Sequence, residues 1–406
     1  MSLKNFFRRL RFKHRSKRKS RQEKNGSKSP ENNLAGDNEP INKVLGTDLE
    51  ANIARVRRAF GESSDLIVRE LETATTPPFK LAALFIDGLT DGYTVANNVI
   101  APLLTAPINF PGNENGAPLN FFKNTEKKFL QVGEVYKTSK LEKIYTDLSS
   151  GKTILLFDKI NIALVTGTPG WKERAIDEPA TESVVRGPRD SFTEKLRDNT
   201  SLLRVRLKTH RLRFEETQIG ELTKTTVALA YIKDLASEKL IQEIKDRLGR
   251  IKIAGILESG YLEEFIEDEP LSPFPQLLRS ERPDRVTACL LEGKVAILTD
   301  GTPFVLLAPA FLSEFLTTPE DYYERFFIGS FVRMIRYAAF VISLVLPSIY
   351  VSIVTYHQEM LPTPLILSIA SQREGVPFPT FVEAFFLEII FEILREAGIR
   401  LPKIIG

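Results

Sequence analysis

The sequence predicts an α/β (α+β) region of two related lobes, followed by the start of an α-helical transmembrane domain. Three observations predict it. A strand-and-helix pattern occurs twice: KLAALFIDGL (80–89) lines up with TVALAYIKDL (226–235), and ILLFDKINIALV (154–165) with AILTDGTPFVLL (296–307). Such recurrence marks a repeated supersecondary unit. The run from Tyr337 to Tyr356 (YAAFVISLVLPSIYVSIVTY) carries no charge, and its twenty residues would extend ~30 Å as a helix, the thickness of a bilayer core. The 406 residues are otherwise 43% apolar and 26% charged, which excludes a fully disordered chain and a chain that is membrane-embedded throughout. The domain plan is an arm and linker over 1–43, lobes over 44–185 and 186–317, and a membrane region over 318–406.

Residues 1–28 hold twelve Lys/Arg against Glu23 alone, so a local charge of +11 hides inside a total of +3. Phe6, Phe7, Leu10 and Phe12 interleave with the charges. The stretch lacks the apolar core of a signal peptide, so it is expected to be retained and not exported. It reads as a solvated basic arm, with anionic lipid as the alternative contact; nucleic acid is not expected as a partner, because nothing else supports it. Residues 25–43, rich in Asn, Gly, Ser, Glu and Pro, read as a linker.

In the first lobe, Leu81 to Ile86 is a short apolar strand closed by Asp87-Gly88, and a helical stretch follows to Leu104 and stops at Pro107. Thr153 to Phe157 and Asn161 to Val165 form a hairpin around Asp158-Lys159. In the second lobe, Thr226 to Ile232 is a strand. Ser237 then caps a helix with the stripe Leu240, Ile241, Ile244 and Leu248. Lys294 to Thr299 and Phe304 to Ala308 form the matching hairpin around Asp300-Gly301.

Several chemistries are not expected. Cys289 is the only cysteine and sits in the apolar run VTACLLEG, so it reads as a buried structural thiol in a reducing compartment. His14, His210 and His357 share no metal spacing with each other or with Cys289, so neither a zinc site nor thiol–imidazole catalysis is expected. Gly151-Lys152-Thr153 resembles the end of a phosphate loop, but Thr146 stands where its first glycine is required. The chain therefore reads as a non-enzyme without a cofactor or metal.

The joint between lobes falls near 171–200, a charge-dense stretch that holds the single Trp171. Arg186, Gly187, Pro188 and Arg189 form a turn flanked by two guanidiniums. Glu182, Asp190 and Glu194 lie nearby in sequence. The turn reads as a salt-bridged hinge or as an anion site. Glu263 to Glu269 places five acids in seven residues, the solvated face of a helix end.

Thr318-Pro319-Glu320-Asp321 is a helix start that leads into the uncharged span. Arg325, Arg333 and Arg336 precede the span and the next basic residue is Arg373, which places the preceding lobes in the cytoplasm. Pro347 is expected to kink the span. Beyond it, the Pro-punctuated 361–379 reads as a re-entrant or interfacial segment, and Thr380 to Glu396 as a helix. Glu388, Glu392 and Glu396 share one face of that helix. With Glu383, the carboxylates Glu388 and Glu392 are candidates for a membrane path or partner face; the alternative is an amphipathic helix lying on the membrane.

The blocks EPATESVVRGPRDSFTEKLRDNTSLLR, ILESGYLEEFIEDEPLSPFPQ, ERPDRVTACLLEGKVAILTDGTPFVLLAP, TPEDYYERF and SQREGVPFPTFVEAFFLEIIFEILREAGIRLPKIIG closely resemble the GerA family, the A subunits of bacterial spore germinant receptors. The resemblance covers roughly residues 44–406. It implies a cytoplasmic two-lobed N-terminal domain followed by several transmembrane helices. It also implies a complex with a transporter-like B subunit and a C-subunit lipoprotein in the inner membrane of the spore. Nutrients such as amino acids, sugars or nucleosides would trigger ion release, with A subunits oligomerising into a ligand-gated channel. Two alternatives stand beside this: a membrane-anchored assembly scaffold, and a family paralogue acting with the dipicolinic-acid release machinery. Three departures from the family pattern stand out. Asp158-Lys159 replaces an expected Asp-Gly, Asp190-Ser191 replaces the more usual Glu-Gly, and the family continues past RLPKIIG, so the chain is expected to be a fragment or a truncated product.

Overall fold

A computed structural model describes residues 44–73, 78–105, 117–170, 178–179, 181–182, 184–373, 375 and 378–400. The readings of the basic arm and linker, of Pro107 and of Trp171 lie outside the described residues.

The first lobe begins with α1 (Leu49–Phe60), whose N-terminal N–H groups are capped by the Asp48 carboxylate. It continues through β1 (Leu66–Glu72) and β2 (Lys80–Ile86). Two helical runs follow, each with a π-helical turn: Val95–Ile100 in one and Thr125–Phe129 in the other. The lobe closes with β3 (Val135–Thr138), α2 (Leu141–Leu148), β4 (Thr153–Phe157) and β5 (Ala163–Thr166). The second lobe comprises α3 (Leu196–Arg206), β6 (Leu212–Ile219), β7 (Thr225–Ile232), α4 (Glu238–Arg250), α5 (Ser259–Ile266), β8 (Leu278–Ser280), α6 (Pro283–Leu291), β9 (Val295–Thr299) and β10 (Val305–Ala308). Ser237 stands at the N-cap of α4, and Ile241, Ile244 and Leu248 of the expected stripe are buried.

Each lobe holds one five-stranded sheet, ordered β1-β2-β4-β5-β3 in the first and β6-β7-β9-β10-β8 in the second. All pairs are antiparallel. The central strands are apolar without alternation because helices cover both faces. Ala82, Leu84 and Ile86 face α1 and α2, while Leu81 and Ala83 face the two π-containing runs. In the second lobe Ala228, Ala230 and Ile232 face α3 and α6, and Val227 and Leu229 face α4 and α5.

The two sheets share register as well as order. Leu81 pairs with Phe157 and Ala82 with Leu156, as Val227 pairs with Thr299 and Ala228 with Leu298. Matching side chains and backbone groups repeat the same locks. Buried Asn52 accepts from the Gly46 N–H (3.0 Å) and donates to the Gly46 carbonyl (2.9 Å). Buried Asn199 does the same with Thr193, at 2.7 and 2.6 Å. The Lys159 N–H reaches the Thr47 carbonyl at 2.7 Å, and the Gly301 N–H reaches Glu194 at 2.7 Å. Gly151 and Gly293, both at positive φ, lie so close to the carbonyls of Leu89 and Leu235 that a Cβ would sit 2.8 and 2.6 Å from them. That is why a glycine ends the Gly-Lys turn before β4 and before β9; in the first lobe it is a tight turn and not a phosphate cradle.

The membrane region departs from one continuous helix entering at Thr318. A four-residue helix, Glu320–Tyr323, ends at an extended Glu324, and α7 (Phe326–Thr355) then begins afresh. The break is forced by charge pairing. Asp321 accepts from Arg336 at 2.8 and 3.2 Å, whereas fifteen residues of continuous helix would hold them ~22 Å apart. α7 runs 30 residues through Pro347. Among the described residues it is the one helix long and apolar enough to cross a membrane. Residues read as a re-entrant segment include α8 (Thr363–Arg373), and α9 (Thr380–Arg400) follows.

The repeated turns can be tested against each other. Gly293→Ala, and Gly151→Ala alike, should destabilise the protein by roughly 1–3 kcal/mol. Lys159, held at φ 61 where its counterpart is Gly301, should gain about 1 kcal/mol on Lys159→Gly. Chemical denaturation of the detergent-solubilised chain reads both; equal stability of all three variants would refute the assignment.

Candidate functional site at the lobe and membrane-helix junctions

Two polar junctions connect the parts of this chain. The first joins the lobes. Arg204 on α3 is fully buried and grips Asp65, itself 1% exposed, through Nε–Oδ2 (2.7 Å) and Nη2–Oδ1 (2.9 Å). Ser63 donates to Asp65 (2.7 Å) and accepts from the Phe214 N–H (2.9 Å). Arg204 also donates to the Thr209 carbonyl at 3.2 Å, so most of its donors are used, as a buried guanidinium requires. Arg213 reaches across to the Ala59 carbonyl at 2.7 Å. At the rim, Arg197 meets Asp87 (3.0 Å) and Glu216 (3.4 Å), and Gly88 packs on Ser201. His210 clusters with the rings of Phe60 and Tyr145, at 6.3 and 5.1 Å. Burial, then the nearby Arg213, Arg211 and Arg204, depress its pKa to about 4.

The second junction ties the interlobe linker to the start of α6 and to the entry of α7. Arg282, with no exposed side-chain surface, pairs with Asp284 (2.8 and 3.1 Å) and donates to the carbonyls of Glu182 (3.0 Å) and Pro188 (2.8 Å). The Tyr323 hydroxyl donates to Asp284 at 2.5 Å, and Gly187 lies against the Tyr323 ring. Glu182 pairs with Arg285 and accepts from Ser280, while Glu281 accepts from the Thr181 and Glu182 N–H groups. On the α7 side, Arg336 also donates to the Leu316 carbonyl (2.7 Å), and Gly329 backs directly on the Asp321 carbonyl. Burial pushes the Asp284 and Asp321 carboxyls up. Arg282 with Tyr323, and Arg336 with the Thr318 N–H, outweigh it and hold both below the usual carboxylate range. Burial and then Asp284 push Tyr323 up to about 12. At neutral pH both carboxyls therefore stay ionised and the Tyr323 hydroxyl stays protonated, which suits a mechanical tie.

The predicted joint residues lie in this second junction and not between the lobes. Arg186 pairs with Glu324 (3.5 Å), its N–H reaches Glu320 (3.2 Å), and Arg189 pairs with Glu178 (3.0 Å). Their sequence neighbours pair elsewhere: Glu182 with Arg285 and Asp190 with Arg206 at 2.5 Å. Pro188 contributes its carbonyl. Glu383, Glu388 and Glu392 all lie on α9; Glu388 and Glu392 are exposed, and Glu392 pairs with Arg395 at 2.5 Å. Cys289 is buried, and burial pushes its thiol up to about 11. Among the described residues no group of three or more His, Cys, Asp or Glu is placed to hold a metal ion. The sequence reading missed Arg204, Asp65 and Arg282. It also missed Asn52 and Asn199, although Leu-x-x-Asn opens both α1 and α3 and could have signalled them.

Two outcomes follow. Arg204→Met alone should cost about 3–5 kcal/mol, because it strands a buried carboxylate, and Arg204→Met with Asp65→Leu should restore most of it; equilibrium unfolding of the three proteins decides. His210 binds its proton less readily folded than unfolded, so the unfolded chain takes up protons first and stability should fall as pH drops from 6.5 towards 4. Melting curves across that window should slope for the native chain and flatten for His210→Gln.

Comparison with known proteins places this arrangement. A family model described as Bacillus/Clostridium GerA spore germination protein matches residues 54–406. Spore germination protein KA of Bacillus subtilis (strain 168) is 42% identical over 363 residues, 89% of this chain and 65% of that protein. The chain thus spans under two thirds of that relative's length. Spore germination protein B1 of the same organism is 40% identical over 89% of this chain and 73% of its own. The crystal structure of the N-terminal domain of the A subunit of the Bacillus megaterium spore germinant receptor GerK3 is similar at TM-score 0.52 and 32% identity, covering 67% of this chain and 98% of that one. With its repeated three-layer lobes feeding a membrane-length helix, the chain belongs to the GerA family of spore germination proteins, the A subunits of germinant receptors.

Proposed function

We propose that this chain works as a signal relay in a nutrient-responsive germinant receptor, carrying a change in the lobes to an ion path between membrane helices. The observation that carries the reading is the second junction. The same buried guanidinium, Arg282, holds the interlobe linker by two carbonyls and, through Asp284 and Tyr323, the entry to α7. A ligand-driven shift of one lobe against the other would pull on that linker. The pull would then bias α7 between two positions, which is how a ligand with differential affinity moves an equilibrium. In this reading Arg186 and Gly187 are the linker's contact with the α7 entry, Pro188 its hold on Arg282, and Arg189 a tie within the linker.

The lobes face the cytoplasm, the helices sit in the spore inner membrane, and the chain assembles with copies of itself, a transporter-like B subunit and a lipoprotein C subunit. Arg325, Arg333 and Arg336, ahead of the uncharged run, support the orientation. Glu383, Glu388 and Glu392 supply polar surface on an otherwise apolar helix, and such carboxylates at membrane level face water or protein. They are the residues proposed for the ion path.

In the complete receptor, Arg336→Gln should weaken coupling by about 1–3 kcal/mol, roughly 5–150-fold in germinant sensitivity, with the lobes still folded. Glu388→Ala should slow germinant-triggered ion release. Unchanged release kinetics in the second variant would remove α9 from the ion path, and unchanged sensitivity in the first would remove the junction from the relay.

A further inference from the structure

We propose that the second lobe sits directly on the bilayer through an apolar collar formed by the Leu312–Phe315 turn, Tyr322 and the first turns of α7, with the lipid headgroup layer as its occupant. The proposal rests on the reading that α7 crosses the bilayer. The helix is longer than the span it contains: 30 residues make ~45 Å, against about 30 Å of hydrocarbon and about 40–45 Å for the bilayer with its headgroups. The excess lies ahead of Tyr337, and it is not polar. Phe326, Phe327 and Phe331 are 72%, 73% and 58% exposed, on a helix whose Gly329 is buried against Asp321.

The neighbouring segment adds to the same surface. Arg336 donates to the Leu316 carbonyl, so the Leu312–Phe315 turn lies beside α7 where the uncharged run begins. Leu312 is 60% exposed and Tyr322 68%. The acids of this region are paired: Asp321 with Arg336, Glu324 with the Arg186 side chain, Glu320 with the Arg186 N–H, and Glu314 with Lys294. Residues 325–336 contain Arg325, Arg333 and Arg336 and no acid. The exposed surface is therefore aromatic and aliphatic with Arg325 beside it, contiguous with the span. That is the composition that settles at the cytoplasmic interface, where rings lie at headgroup level and cations meet phosphate. In water the same surface would be an uncovered apolar patch on a helix.

The test uses the full chain carrying Trp171→Phe, reconstituted in vesicles of phosphatidylcholine and phosphatidylglycerol with nitroxides either at the headgroup or deep in the acyl chain. Single tryptophans replace Phe327 and Phe315 at the collar, Phe340 in the span and Leu271 on an exposed loop of the second lobe. All four side chains are at least 37% exposed, so the substitutions leave the core intact. The expected result is that Phe327→Trp and Phe315→Trp lose emission chiefly to the headgroup nitroxide. Phe340→Trp should lose it to the deep one, and Leu271→Trp only to an aqueous quencher. If both collar tryptophans behave like Leu271→Trp, the collar is in water and the proposal fails. If they are blue-shifted yet quenched by neither nitroxide, protein covers them and the lipid occupant is wrong. If Phe340→Trp escapes the deep nitroxide, the span fails together with the collar.

Discussion

One fully buried guanidinium, that of Arg282, constrains more of this chain than any other group. It cannot reach water, so its donors must be satisfied by protein, and they are satisfied by two different segments. Asp284 belongs to its own helix, α6. The carbonyls of Glu182 and Pro188 belong to the interlobe linker. Asp284 in turn fixes Tyr323, at the door of α7. Removing any one partner leaves a charge or a carbonyl stranded, so the linker, the second lobe and the membrane helix are positioned together. A buried ion pair adds little net stability once desolvation is counted. Its value here is the single geometry it allows.

The lobes show what repetition conserves and what it releases. Both keep the same sheet order, the same central register, the same buried asparagine lock and the same crowded glycine. These features solve one problem, closing a five-stranded antiparallel sheet with helices on both faces. The contact surfaces, by contrast, have diverged. Position 65 is an aspartate that receives Arg204, and the matching position 211 is an arginine. The start of α6 carries Arg282 and Asp284, where the matching α2 has Lys140 and Glu142. One lobe thus became the partner of the linker and membrane helix, and the other the partner of its sibling.

The membrane entry follows from charge more than from hydropathy. Asp321 draws Arg336 back across a chain reversal, and Gly329 allows the two backbones to touch. The short Glu320–Tyr323 helix therefore braces α7 at the base of its span. The Gly187 backbone lies against the Tyr323 ring, so the linker and the entry to α7 are in direct contact.

The sequence alone determined the two lobes, their three central strands and the hairpin in each, and the membrane-length run, because those depend on short-range periodicity and on runs of one polarity; β1, β3, β6 and β8 were not legible in it. It also marked the charge-dense stretch around Glu182 and Arg186 to Arg189, and the helix start that ends in Asp321. It did not say which charges would meet. Arg204 and Asp65 are 139 residues apart, and the acids beside Arg186 and Arg189 turned to Arg285 and Arg206 on the second lobe. The helix start at Thr318 was legible, but its interruption at Glu324 was not, since only packing brings Arg336 beside Asp321. Local pattern sets elements and their buried faces. Pairing of charges across the chain is decided by tertiary packing, because a buried charge must take whatever partner the folded surface delivers.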